Sequence, residues 1–189
     1  GISRYDGFRF RDYPLIMGID SLSTPLHQAV KKLCEGPDGL YYALLFQGGI
    51  TCFDKDIEKF LPVRFDKPLE LKDILDFCWN DGSLYLVTSQ GLFESRIVRK
   101  TEGKHDFVLC LLNPEPLVRG KVAHLCSDGK TNLYFSVNQR KVVHYDLVAK
   151  KTSLIKEYSV VNRLFLRHGY LWICRLWDDI ICYDLKTNE

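Results

Sequence analysis

Asp178 and Asp179, adjacent in "CRLWDDII" (174–181), are with Glu94 the carboxylates whose setting invites a catalytic reading. Glycoside cleavage needs two carboxylates at a defined separation across the scissile bond. Adjacent carboxylates at a hairpin tip are more simply turn formers. The five histidines (27, 105, 124, 144, 168) lie in unrelated local contexts, without HExxH or His-x-His spacing, and read as polar strand or turn residues. "FQGGI" (46–50) lacks the Lys-Ser/Thr end of a phosphate loop, and its glycines suit a tight hairpin turn. No serine has a GxSxG setting and no cysteine pair has CxxC spacing. The residues therefore assign no catalytic group, no metal site and no cofactor.

Composition narrows the class further. The formal net charge is +2 with both signs mixed along the chain, which excludes the basic stripe of a nucleic-acid surface. The longest wholly apolar run, "FVLCLL" (107–112), is far too short to span a membrane. Eleven Phe, ten Tyr and three Trp against one Met suit pleated, half-buried surfaces. The seven cysteines (34, 52, 78, 110, 126, 174, 182) sit mostly inside apolar runs, and their odd number leaves at least one thiol free. Buried inert thiols and a single disulfide both remain open.

The elements that must position any site come from an internal repeat. "YLWICRLWDDIICYD" (170–184) has three further copies, "GLYYALLFQGGITCFD" (39–54), "SLYLVTSQGLFESR" (83–96) and "NLYFSVNQRKVVHYD" (132–146). The anchors Leu40-Tyr41, Leu84-Tyr85, Leu133-Tyr134 and Leu171-Trp172 are spaced by 44, 49 and 38 residues, the signature of stacked supersecondary units. An apolar run precedes each copy, and a Gly-containing turn ("GPDG", "DG", "DGK", "HG") separates the two. A second tight turn and a third strand follow the anchor. A fourth run such as "KFLPVRF" (59–65) or "KTSLIKEY" (151–158) completes the fuller copies. Four short strands per ~40–50 residues is the grammar of a propeller blade. "PLHQAVKKLCEG" (25–36) and "DKDIEKFLPV" (54–63) could each form a short helix by spacing, but they stand where sibling repeats are β-rich.

The expectation is an all-β chain with a half blade over 1–13 and blades near 28–65, 70–112, 120–158 and 160–189. The last blade lacks a fourth strand, which residues 7–13 could supply. Exposed blade ends predict self-association. The recurring Tyr41, Tyr85, Tyr134 and Trp172 are expected to pack between blades. Trp177 and Trp79 do not recur, and a repeat varies its functional positions.

Carried by "EGPDGLYYALLFQGGITCFD", "NDGSLYLVTSQGLFESR", "SDGKTNLYFSVNQRKVVHYD" and "RHGYLWICRLWDDIICYD", the pattern resembles the two-component regulator propeller repeat. "GISRYDGFRFRDYP" resembles the start of that family's pattern, and "FESR" departs from the usual aromatic-Asp ending. The resemblance covers essentially the whole chain. It implies a β-propeller fragment of about four four-stranded blades from a ring of about seven. It further implies the periplasmic sensor region of a membrane-anchored hybrid two-component histidine kinase of gut bacteria. The implied ligand is an oligosaccharide, and the implied output is control of polysaccharide-utilisation genes. Neighbouring propeller and kinase modules of the parent would be its partners, with no catalysis in this chain. A protein-interaction scaffold without a small ligand is the rival reading.

In a propeller the turn between the second and third strands shares a face with the loops between blades. Here those turns are "FQGG" (46–49), "TSQG" (88–91), "NQRK" (138–141) and "RLWDD" (175–179). They nominate Gln47, Gln90, Gln139, Arg140, Arg175, Trp177 and Asp178 as ligand-binding residues. Amides, guanidinium groups and a carboxylate satisfy sugar hydroxyls, and an indole face covers the C–H side of a pyranose.

Overall fold

The computed structural model describes residues 1–15, 29–46, 49–65, 74–99, 107–187 and 189. Every regular element among them is a β-strand. The two stretches with helical spacing are resolved in favour of strands: Val30–Glu35 alternates half-buried and exposed residues at period two, and Lys59–Phe65 follows a turn over 55–58. Period two is what a strand with one packed face requires.

The chain divides into two compact units, Gly1–Ile74 with Arg96–Cys110, and Leu75–Ser95 with Leu111–Glu189. In the first unit, β1 (Ile2–Tyr5) and β2 (Phe10–Tyr13) form a hairpin, pairing Ile2 with Tyr13. Strands β3 (Val30–Glu35), β4 (Tyr41–Leu45), β5 (Ile50–Asp54) and β6 (Lys59–Phe65) form an antiparallel meander. The Tyr13 ring lies 4.9 Å from that of Phe53, and its hydroxyl donates to Glu58 Oε1 at 3.0 Å. Residues 10–13 thus pair with β1 and rest on this meander. β10 (Phe107–Leu111) adds in parallel to β6, Phe107 opposite Val63, a pairing the repeat did not suggest. The apolar run of β10 explains it, because Phe107, Val108 and Leu109 are buried and would be costly on an open edge.

The second unit contains β7 (Ile74–Asn80) from Leu75 onward, β8 (Ser83–Thr88), the first half of β9 (Gly91–Arg99) and the short β11 (Val118–Arg119). There follow a four-stranded meander, β12 (Val122–Ser127), β13 (Asn132–Val137), β14 (Lys141–Asp146) and β15 (Lys151–Glu157), and a three-stranded one, β16 (Val161–Arg167), β17 (Tyr170–Arg175) and β18 (Ile180–Asp184). Their cores lie between successive sheets. Tyr85, Val87 and Leu92 pack with Leu125, Phe135, Val143 and Tyr145. Tyr134 and Val142 pack with Leu164, Leu171 and Ile173. Tyr85 and Tyr134, anchors of the repeat, are therefore inter-sheet packing groups, as their recurrence suggests.

The repeat's polar letters have local work to do. At the end of the third strand, Asp54 Oδ1 accepts from the backbone of Asp56 and Ile57, Asp146 Oδ1 from Val148 and Ala149, and Asp184 Oδ1 from Lys186. Each is an Asx turn that bends the chain back into the next strand. Where "FESR" breaks the motif, Glu94 takes the Ser83 and Tyr85 hydroxyls instead. Without the turn-forming Asp, β9 runs on for nine residues. In the first turns, Gly39, Gly82, Gly129 and Gly169 share φ values of 76–82°, open to glycine at no steric cost.

None of the seven cysteines is in a disulfide. Burial pushes the Cys52 thiol up to about 12, the inert state of a core sulfur.

Asp128 anchors the first turn of the third meander. It accepts from the Lys130 and Asn132 amides at 2.8 and 3.0 Å and from Asn132 Nδ2 at 2.6 Å. Burial raises its pKa, but these donors outweigh burial and hold the carboxyl below its ordinary value. A depressed folded pKa gives stability that is present above about pH 4 and lost as pH falls through the folded value. Asp128→Asn is therefore expected to melt below the parent at neutral pH, with the gap closing on acidification. Melting curves of both proteins across pH 6 to about 2 check this. A gap independent of pH would refute it.

Candidate ligand-binding site

Each second turn of the second unit is tied by backbone hydrogen bonds to the segment that enters a sheet. Gly120 N donates to Gln90 O at 3.2 Å, and Asn138 N to Lys121 O at 2.9 Å. Val161 N donates to Gln139 O at 2.7 Å, Tyr158 N to Arg140 O at 2.9 Å, and Leu176 N to Val160 O at 3.0 Å. The segments 118–122 and 158–161 each bridge the turn before and the turn after. This row brings together the turns of Gln90, Gln139, Arg140 and Arg175. Gln47 lies outside the described residues.

One position in the row tolerates only glycine. Gly91 has φ +143° and sits opposite Arg119 in the β9–β11 pairing, and an added Cβ would fall 2.0 Å from Val118 O. That contact lets segment 118–122 lie flat against the turn. A cleft of about 540 Å³ opens beside it, lined by Leu75, Thr88, Ser89, Lys121, Asn138 and Gln139, with Val122 and Ala123. Hydroxyls, amides and one ammonium over an apolar strip are the composition of a small-ligand site. Sequence reasoning found Gln139 but missed Lys121, Thr88 and Leu75. Lys121 and Leu75 lie on strand entries, where the repeat shows no distinguishing signal.

The last turn is built differently. The Arg175 guanidinium binds Asp178 at 2.8 Å and also pairs with Asp179, while lying 6.0 Å over the Tyr158 ring. The bond to Arg175 pulls Asp179 below the ordinary carboxylate range, and burial opposes it weakly. Asp178 and Asp179 thus brace the hairpin tip. Arg175 and Asp178 position the turn, and Trp177 is what the turn presents: its side chain is 94% exposed at φ +63°.

Among the described residues, those at positive φ in the second turns of the first two copies are Gly49 and Gly91. In the third they are Asn138 and Gln139, and in the fourth Trp177. A β-carbon in this region costs about 1 kcal/mol. Asp81, Glu58, Lys150 and His168 carry the same strain in other turns. Trp177 differs from them in holding a large apolar ring in solvent.

A second cleft of about 460 Å³ is lined by Asn132, Tyr134, His144, Ser153 and Tyr183, among others. His144 Nδ1 is 3.2 Å from Ser153 Oγ and Nε2 is 2.6 Å from Asn132 Oδ1. Because Asn132 Nδ2 donates to Asp128 Oδ2 and Thr131 Oγ1, its Oδ1 accepts, so Nε2–H donates and Nδ1 accepts from the Ser153 hydroxyl. His144 and Ser153 are a cross-strand pair in the β14–β15 register, and the chain of bonds knits that sheet. The sequence hid it because the residues are nine apart and only the register joins them.

Successive antiparallel meanders with their cores between sheets make this chain a β-propeller fragment. The comparisons agree with that class. No family model matches the chain, and no curated protein matches its sequence. Among solved structures, it is similar to the extracellular domain of a one-component system from B. thetaiotaomicron, with TM-score 0.67, 12% identity, and coverage of 97% of this chain and 26% of that one. The extracellular domain of a hybrid two-component system from the same organism gives TM-score 0.65 and 15% identity over 100% of this chain and 26% of that one. An auxiliary nutrient binding protein from Bacteroides thetaiotaomicron VPI-5482 gives 0.58 and 18% over 85% and 40%. The chain spans about a quarter of the first two structures. At these identities the likeness is one of fold.

Proposed function

We propose that this chain is part of the extracytoplasmic, ligand-sensing propeller region of a hybrid two-component histidine kinase. Its ligand is an oligosaccharide, and the parent, anchored in the inner membrane, controls genes for polysaccharide use. The chain itself has no catalytic role. The observation that carries the reading is Trp177, an exposed ring held at positive φ in a turn whose positive φ falls on glycine in the first two copies. Strain retained at an exposed position points to use. The fold shared with extracellular domains of regulatory systems supports the same reading.

One observation favours an interaction scaffold instead. On the last sheet Phe165 and Ile180 are exposed, and Phe165 stacks 5.9 Å from Trp172, an apolar face suited to another protein surface or a second copy. A calorimetric glycan screen of the intact sensor region, with the Trp177→Ala/Arg175→Ala double variant, separates the two. The sensor reading expects saccharide binding that the double variant weakens about tenfold or more. Concentration-dependent association with no saccharide binding would favour the scaffold and overturn the sensor reading.

A further inference from the structure

The cleft beside turn 88–91 has an asymmetry of charge. Lys121 is the one ionisable residue in its lining, and no carboxylate joins it there. The carboxylate nearest in sequence to the apolar strip, Asp76, is occupied: Oδ1 accepts from Phe77 N and Oδ2 from Leu125 N, both at 2.8 Å. Among the described residues Lys121 has no ion pair. Its main chain is held firmly all the same. Lys121 O accepts from Asn138 N at 2.9 Å, and its neighbours are fixed by Gly120 N to Gln90 O and Val122 N to Gly120 O.

An unpaired cation at the mouth of a cleft attracts an anion. The rest of the lining sets the anion's chemistry. The Ser89 hydroxyl and the Asn138 and Gln139 amides can serve several hydroxyl groups at once, whereas the buried Thr88 hydroxyl is taken up by Gly91 O and Gln90 N and holds the turn. Leu75 and Ala123 give an apolar strip for a sugar's C–H face. A volume of about 540 Å³ falls within the range of small-ligand sites. An inorganic anion would leave most of those donors and acceptors unused.

We propose that this cleft binds an acidic saccharide, with its carboxylate or sulfate on Lys121 and its hydroxyls on Ser89 and the turn at 138–139. The proposal rests on the saccharide-sensing reading and adds the charge of the ligand. Lys121 acts as the specificity-determining residue.

The test is calorimetric titration of the whole chain with three matched disaccharides: one containing glucuronic acid, its neutral glucose counterpart, and that counterpart carrying a sulfate ester. At least one acidic sugar is expected to bind about tenfold more tightly than the neutral one, because charge-assisted hydrogen bonds exceed neutral ones. The carboxylate and sulfate arms tell which anion is preferred. Lys121→Met keeps the apolar stem and is expected to erase the preference for the acidic sugars. Lys121→Glu should invert it. Lys121 is exposed, so the fold is not at stake, and unchanged circular dichroism serves as the check. Equal binding of all three sugars, or a preference that survives Lys121→Met, overturns the acidic-ligand proposal while leaving the sensor reading intact. Failure of every sugar to bind overturns both.

Discussion

Phe135→Ala is expected to destabilise the second unit by about 3–5 kcal/mol, the range for deleting a fully buried aromatic ring. Phe135 is 0% exposed and packs among Tyr85, Val87, Leu92, Leu125, Val143 and Tyr145, which come from strands of successive sheets. In a repeat architecture much of the stability lies in interfaces between neighbours. The loss therefore falls on the contact between sheets as well as on the sheet itself. The cavity cannot collapse easily, because the surrounding strands are held by ladder bonds on both sides. Thermal unfolding should show a midpoint lower by on the order of 10 °C. Val148→Ala, at a 76% exposed turn position, is the control and should stay within about 0.5 kcal/mol of the parent. A Phe135→Ala protein as stable as the control would mean that the sheets do not depend on this packing.

Trp177→Gly is expected to move stability and ligand affinity in opposite directions. Glycine accepts φ +63° without a β-carbon clash, which removes a strain of about 1 kcal/mol. Part of that gain is returned through glycine's greater freedom in the unfolded chain. The net result is a protein at least as stable as the parent. Little packing is lost, since the indole is 94% exposed, and the Arg175 contacts to Asp178 and Asp179 still hold the turn. The ring is nevertheless the face on which a pyranose would lie, so saccharide affinity should fall about tenfold or more. Trp177→Ala keeps the strained β-carbon and loses the ring. It should show the same affinity loss with no gain in stability. Calorimetry and melting curves on the two variants together separate backbone from ring. Unchanged affinity in both would move the ligand away from this turn.

Much of the architecture is legible in the sequence because each part is a short-range decision. Glycine at φ near 80° in the first turns and the turn-forming Asp54, Asp146 and Asp184 are set by residues within four positions of one another. Even the exception is local: Arg96 stands where the other copies have the turn-forming Asp, and β9 lengthens. The anchor aromatics Tyr85 and Tyr134 are legible too, since packing between identical units forces the same residue type to recur.

What the sequence could not supply are pairings with no periodic or local cue. The parallel addition of β10 to β6 joins residues more than forty apart, and nothing in either run selects the other. The bridging of turns 88–91 and 138–141 by segment 118–122 decides that Lys121 faces the cleft with Thr88 and Gln139. Lys121 reads in the sequence as an ordinary strand-entry lysine. The same holds for Arg175, nominated because a guanidinium can satisfy sugar hydroxyls: its pairing with Asp178 and Asp179 is set by the geometry of the turn. Side-chain type and turn chemistry are written residue by residue and determine the blades. Which polar groups are left unpaired, and so remain open to a ligand, depends on distances between blades, and only the tertiary structure decides those.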